Sequence, residues 1–169
     1  GRISVSAAGF ASGICQDTTQ AQTVIDEMSK RFPLDTGTVE CAIPMIKALL
    51  ELNRRNAQSA LQILEPLRRR ELGIFVGVLT NYLRGKVYLK LRMGSEAAAE
   101  FEKVIAAKGI DVFAVEHVLS HLDLARAAVI TGDTAKARKE YQDFLAIWKD
   151  ADQDLPMLLE ARKEYEGLK

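Results

Sequence analysis

Residues 82–88 read Tyr82-Leu83-Arg84-Gly85-Lys86-Val87-Tyr88, and the residues at fixed distances beyond Gly85 decide the fold. Ala97 stands twelve positions on, Phe101 four beyond that, and Val104 three beyond Phe101. A step of four and then three tracks one face of a helix, and twelve residues is enough to end one helix, turn and open the next. The same order returns as Gly9, Ala21, Ile25 and Met28, then as Ala48, Ala60, Leu64 and Leu67. It closes with Ala125, Ala137, Tyr141 and Phe144, the sets beginning 39, 37 and 40 residues apart. A small residue on each helix of a pair lets the backbones approach, and the bulky residues one and two turns on fill the groove beside them. One such pair has no interior of its own, so four of them must stack to bury a continuous core. The expected fold class is all-α.

The punctuation agrees. Asp17, Asp35, Asn56, Ser95, Asp111, Asp133 and Asp154 each precede an apolar run of helical spacing and offer a side-chain oxygen to its first turn. Gly73, Gly94, Gly109, Gly132 and Gly167 fall where helices should stop. Pro33 forbids continuation, and Pro156 suits a first turn. The spacing predicts helices over 3–15, 18–32, 36–54, 57–70, 75–92, 95–107, 113–131, 134–149 and 155–167. Pro44 and Pro66 fall inside two of these as expected kinks. Grouped in pairs they give units of about 2–33, 36–70, 75–107 and 113–149, capped by 155–167, in a single domain over 1–169.

Among the 169 residues, 23 basic and 23 acidic side chains balance, which excludes the basic excess that nucleic acid or anionic membrane attracts. No apolar run reaches the ~18 residues of a membrane span, so this segment is not expected to insert. Cys15 and Cys41 are too few for a disulfide scaffold or a zinc site, and read as two half-buried thiols or one optional disulfide. A chain that opens on Gly1-Arg2, without an initiator Met, is expected to be a piece of a longer protein.

The pattern resembles the tetratricopeptide repeat, whose signature is W-x-x-L-G-x-x-Y, then A-x-x-x-F, then a closing P. Gly85, Tyr88, Ala97 and Phe101 match it in register; the fourth unit matches at Leu124, Gly132, Ala137 and Tyr141, and the first at Gly9, Ala21 and Pro33. The second unit departs most, with Glu51 where the aromatic belongs and Arg55 where a loop glycine often sits. No unit has the tryptophan, and the period exceeds the family's 34 by three to six residues. The resemblance implies a right-handed α-solenoid of about four antiparallel helix pairs plus a C-terminal capping helix, acting as a protein-interaction module. A narrower likeness lies in 31–36, 97–101, 132–138, 148–152 and Leu155-Pro156. These strings are similar to the repeat tails of bacterial eukaryotic-type serine/threonine protein kinases, and related tails are found in winged-helix transcriptional regulators.

Chemistry is not expected of the chain itself. No glycine-rich loop, H-R-D loop or D-F-G turn of a kinase is present. His117 and His121 lie four apart, a spacing that can hold a metal, but no Glu intervenes as in H-E-x-x-H and the spacing fixes no third ligand. No metal and no cofactor is therefore expected. Cys15 and Cys41 have no histidine partner set by spacing, and Gly9–Gly13 lacks the strand and Lys of a phosphate loop. Arg68-Arg69-Arg70 reads as a cationic helix end opposing the macrodipole. The helix over 155–167 reads as the solubilising cap of an exposed end.

The resemblance implies capture of a protein or peptide on the inner, concave face, which in this repeat family the first helices line. Counting from the small residues, this face takes Met45, Leu49 and Asn53, then Tyr82, Lys86 and Lys90, then Leu122, Arg126 and Ile130. The family's chaperone-binding members clamp a terminal carboxylate with Lys, Asn and Arg at such sites; the set here is more apolar. An extended or helical segment with an acidic and an aromatic residue is the expected ligand, and the competing reading is that these are solvated charges and a neighbouring helix fills the groove. The alternative is a dimerising or spacing element of the parent, which calls for a homodimer. A cytoplasmic location is the default, and an extracytoplasmic one applies if the parent carries a span upstream.

Overall fold

The computed structural model describes residues 1–71, 77–107, 109 and 115–168, and every regular element among them is helical. The first two helix pairs are α1 (Arg2–Ile14) with α2 (Thr18–Arg31), and α3 (Ile43–Asn53) with α4 (Ala57–Leu64). Next come α5 (Leu79–Lys90) with α6 (Gly94–Ala106), α7 (Glu116–Thr131) with α8 (Thr134–Ile147), and the single α9 (Pro156–Glu166). The expected starts near 75 and 113, the stop at Gly73 and the cap at Asp111 lie outside the described residues.

One turn closes the first helix of every pair. Gln16, Arg55, Arg92 and Gly132 take left-handed backbone, with φ of 62°, 62°, 61° and 79°. Each lies seven residues after the small residue of its unit. The next N–H then reaches back five residues: Asp17 to Ser12, Asn56 to Glu51, Met93 to Tyr88 and Asp133 to Ala128, all at 2.8–2.9 Å. This bonding satisfies the last carbonyls of the first helix and reverses the chain onto its partner. Gly132 fills the role expected of it. Gly94 does not: Arg92 takes the left-handed position and Gly94 opens α6. A Cβ at Gly94 would stand 2.9 Å from the Ala127 carbonyl oxygen and 2.8 Å from Thr131, so close approach to α7 is what requires glycine there.

Three expected caps form. Asp17 accepts from the Gln20 N–H at 2.9 Å, Asp35 from Thr38 at 2.7 Å and Asp133 from Lys136 at 2.9 Å. Asn56, Ser95 and Asp154 do not cap: the Asn56 amide donates to Glu51, Met93 precedes α6 and Leu155 precedes α9. The internal prolines change the helix type where kinks were expected. A π turn over Thr38–Ala42, closed by the Ile43 N–H on Thr38, runs directly into α3, with Pro44 in that helix's first turn. At Pro66, α4 gives way to a 3-10 segment over Glu65–Arg70.

All sixteen residues of the repeating pattern are buried. A Cβ on Gly85 would meet the Phe101 ring at 2.5 Å, and one on Gly9 would meet Ile46 Cδ1 at 2.5 Å. Each helix packs on the next, and α1, α3, α5 and α7 also pack one on another in sequence. The core is accordingly a strip running through the molecule, from Val24 and Ile46 at one end to Phe144 and Leu158 at the other. α9 packs on α8 and reaches α7 through the Arg126 side chain.

Candidate functional site

The residues expected on the inner face separate into two groups. Met45, Leu49 and Leu122 are buried in the core and offer nothing to a partner. Met45 and Leu122 stand one turn before the small residue of their helices and Leu49 just after it; α5 covers Met45 and Leu49, while α8 and α9 cover Leu122. Asn53 is engaged as well, its amide donating to the Gly13 carbonyl at 2.7 Å and tying α3 to the end of α1. Tyr82 turns its ring edge to Phe101, with centroids 5.9 Å apart, and donates its hydroxyl to Asp123 at 3.0 Å. Burial, and then the Asp123 charge, push that hydroxyl well above the usual tyrosine range.

Lys86, Lys90, Arg126 and Ile130 do come together, in an open groove of about 740 Å³ between α5, α7 and α9. Leu89, Val129 and Ile130 supply an apolar strip along it. Five cations and three carboxylates line the rest, in a chain whose overall charge is zero. Asp123, almost fully buried on α7, is the hub: it accepts from Tyr82, from Lys86 at 3.1 Å and from Arg126 at 3.2 Å. Arg126 spreads its remaining donors over α9, with Nε 2.9 Å from Glu164 and Nη2 3.2 Å from Glu160. Burial works against the guanidinium charge, but these carboxylates outweigh it and hold the group above its ordinary value. Tyr141 completes the cluster by donating to Glu164 at 2.8 Å, its hydroxyl also raised by burial.

Lys90, Arg92 and Lys163 differ from these. All three are exposed, line the groove and have no ion-pair partner among the described residues. Arg92 and Lys163 were not expected at the site. The signal for Lys163 is present in the sequence: Ala161 lies 36 residues beyond Ala125 and is fully buried, and Lys163 stands two residues on along the same helix. Arg92 sits in the left-handed turn position, which only the backbone reveals.

A second charged cluster centres on α5 and α6 and draws in the 3-10 segment. Arg84 is fully buried and pairs with Glu71 and, at 3.0 Å, with Glu100. Glu100 also accepts from Asn81 and Arg68 at 3.0 Å. Burial raises the Glu100 carboxyl, but Arg84, with Asn81 and Lys103, prevails and brings it down to about 2. Arg68 and Arg70 are thus ties between elements, Arg70 pairing with Glu40, and not a bare helix end.

The two histidines face different neighbours. His117 Nδ1 lies 2.8 Å from the Val104 carbonyl oxygen, and His121 Nδ1 lies 2.7 Å from Glu140. His121, Glu140 and Asp143 could offer one nitrogen and two carboxylates within 4.8 Å of one another to a cation. The Lys139 ammonium already stands 2.6 Å from Asp143 there. Cys41 is buried and Cys15 exposed, both free, and burial raises the Cys41 thiol. Among the described residues no helix is long and apolar enough to cross a membrane.

No protein-family model, no curated protein and no solved structure matches this chain. The groove presents charged and apolar side chains side by side.

Proposed function

We propose that the chain is a protein-interaction module of the tetratricopeptide type, a right-handed α-solenoid that binds a partner segment in the groove between α5, α7 and α9. The observation that carries the reading is the clustering of Lys90, Arg92 and Lys163, exposed and without an ion pair among the described residues, beside an apolar strip in one groove. The repeated turn at Gln16, Arg55, Arg92 and Gly132, and the buried small-residue pattern, support the solenoid. On the strings that resemble kinase tails, the parent is a bacterial serine/threonine kinase or signalling regulator, with this segment non-catalytic and cytoplasmic. Charge reversal tests the site. Lys90→Glu with Lys163→Glu touches two exposed, unpaired side chains and should leave the circular dichroism and melting temperature unchanged. It should abolish cross-links between the groove and any partner the wild type captures; capture that survives would place the contact elsewhere.

A second reading, self-association, rests on two separate exposed apolar side chains of the first pair, Ile14 at the end of α1 and Leu34 beyond α2, which are 68 % and 95 % exposed. Sedimentation over a range of concentrations separates the two, since only the second needs a dimer.

A further inference from the structure

We infer that the groove recognises an acidic helical segment, and that α9 regulates access from within by lending Glu160 and Glu164 to Arg126 in place of the partner's carboxylates. This rests on the reading of the groove as a partner site. The two glutamates stand four residues apart, one helical turn, and converge on a single guanidinium. A guanidinium presents five donors in one plane, and those of Arg126 are shared among Asp123, Glu160 and Glu164. The contact therefore displays, inside the chain, how this groove holds carboxylates spaced at i and i+4.

The two glutamates are held unequally. Glu160 is 62 % exposed, and its one ion pair among the described residues is with Arg126. An exposed pair of this kind contributes little, so an incoming carboxylate can replace it. Glu164 is bonded by two nitrogens of Arg126 and by the Tyr141 hydroxyl, and is the firmer of the two. The exchange needs only side-chain rotation, because Leu158 and Ala161, both fully buried, keep α9 docked. Around the exchange point Lys90, Arg92 and Lys163 are free to take further carboxylates, and Leu89 and Val129 offer surface to an apolar helix face. A neutral or basic segment would leave these cations unmatched and Arg126 with its internal partners.

The probe is a fluorescently labelled synthetic amphipathic peptide with glutamates four apart on one face and leucines beside them, titrated against the full chain by anisotropy at low ionic strength. A second peptide carries Gln for every Glu. Wild type should bind the acidic peptide weakly and the Gln peptide not at all. Glu160→Gln should tighten the acidic peptide about 3–10-fold by freeing Arg126. Glu166→Gln makes the same charge change on α9 outside the groove, and should stay within about twofold of wild type. Lys90→Glu with Lys163→Glu should weaken binding at least about tenfold.

Equal effects of Glu160→Gln and Glu166→Gln would overturn the gating by α9 and leave the groove reading standing. No binding of the acidic peptide by any form, or binding indifferent to the charge reversal, would overturn the ligand class. The groove reading itself falls only if charge reversal also spares the cross-links to captured partners.

Discussion

Arg84 is buried with two guanidinium nitrogens unpaired among the described residues, and its charge is met there by the carboxylates of Glu71 and Glu100. Removing one member of such a cluster leaves charge in a low-dielectric interior, and Glu100→Gln should destabilise the fold by about 3–5 kcal/mol in chemical denaturation. The same carboxyl sets an acid limb. It ionises near 2 in the folded chain against an ordinary 4.5, so its stabilisation is complete above about pH 4.5 and is lost as the pH falls toward 2. That limb should span on the order of 3 kcal/mol and should be missing from Glu100→Gln. Ala97, fully buried on the face of α6 that carries Phe101, tests the repeat register. Ala97→Leu should cost about 1–3 kcal/mol by overpacking, and a neutral result would displace the register.

Helix ends and short helices carry the next level of behaviour. Arg55 holds a φ of 62° in the turn between α3 and α4, where a side chain is strained and glycine is not. Arg55→Gly should raise the melting temperature, by up to about 1 kcal/mol of stability; a lower melting temperature would mean that Arg55 makes a compensating contact. α1 is the weakest helix by construction. It carries Ser4, Ser6, Gly9, Ser12 and Gly13, has no side-chain cap at its start, and has no acidic first turn or basic last turn. The Asn53 amide and the packing of α1 on α2 and α3 hold it in place. In hydrogen exchange α1 should open first and α7, packed on α5, α6 and α8, last. Protection as strong in α1 as in α7 would contradict this.

Over the whole molecule, the groove exists because α9 packs on α8 and meets α7 through long side chains rather than through close helix contact. Sequence periodicity was enough to determine the all-helical class, the four small-residue pairs and the burial of their sixteen positions. These depend on spacing along single helices, and every copy repeats the same local geometry. The Asp17 and Asp133 caps and the Gly132 stop were legible for the same reason, since each works within one turn of chain. Met45 and Leu122 were misplaced because a face of a first helix can still be covered by elements that follow, α5 over Met45 and α8 with α9 over Leu122, and only tertiary packing decides that. Arg92, Gly94 and Lys163 likewise took their roles from neighbours distant in sequence. Which cations are free was decided last of all. Lys86 and Arg126 looked as available as Lys90 in the sequence, until the tertiary structure set Asp123 and the glutamates of α9 against them, and charge compensation acts through space rather than along the chain.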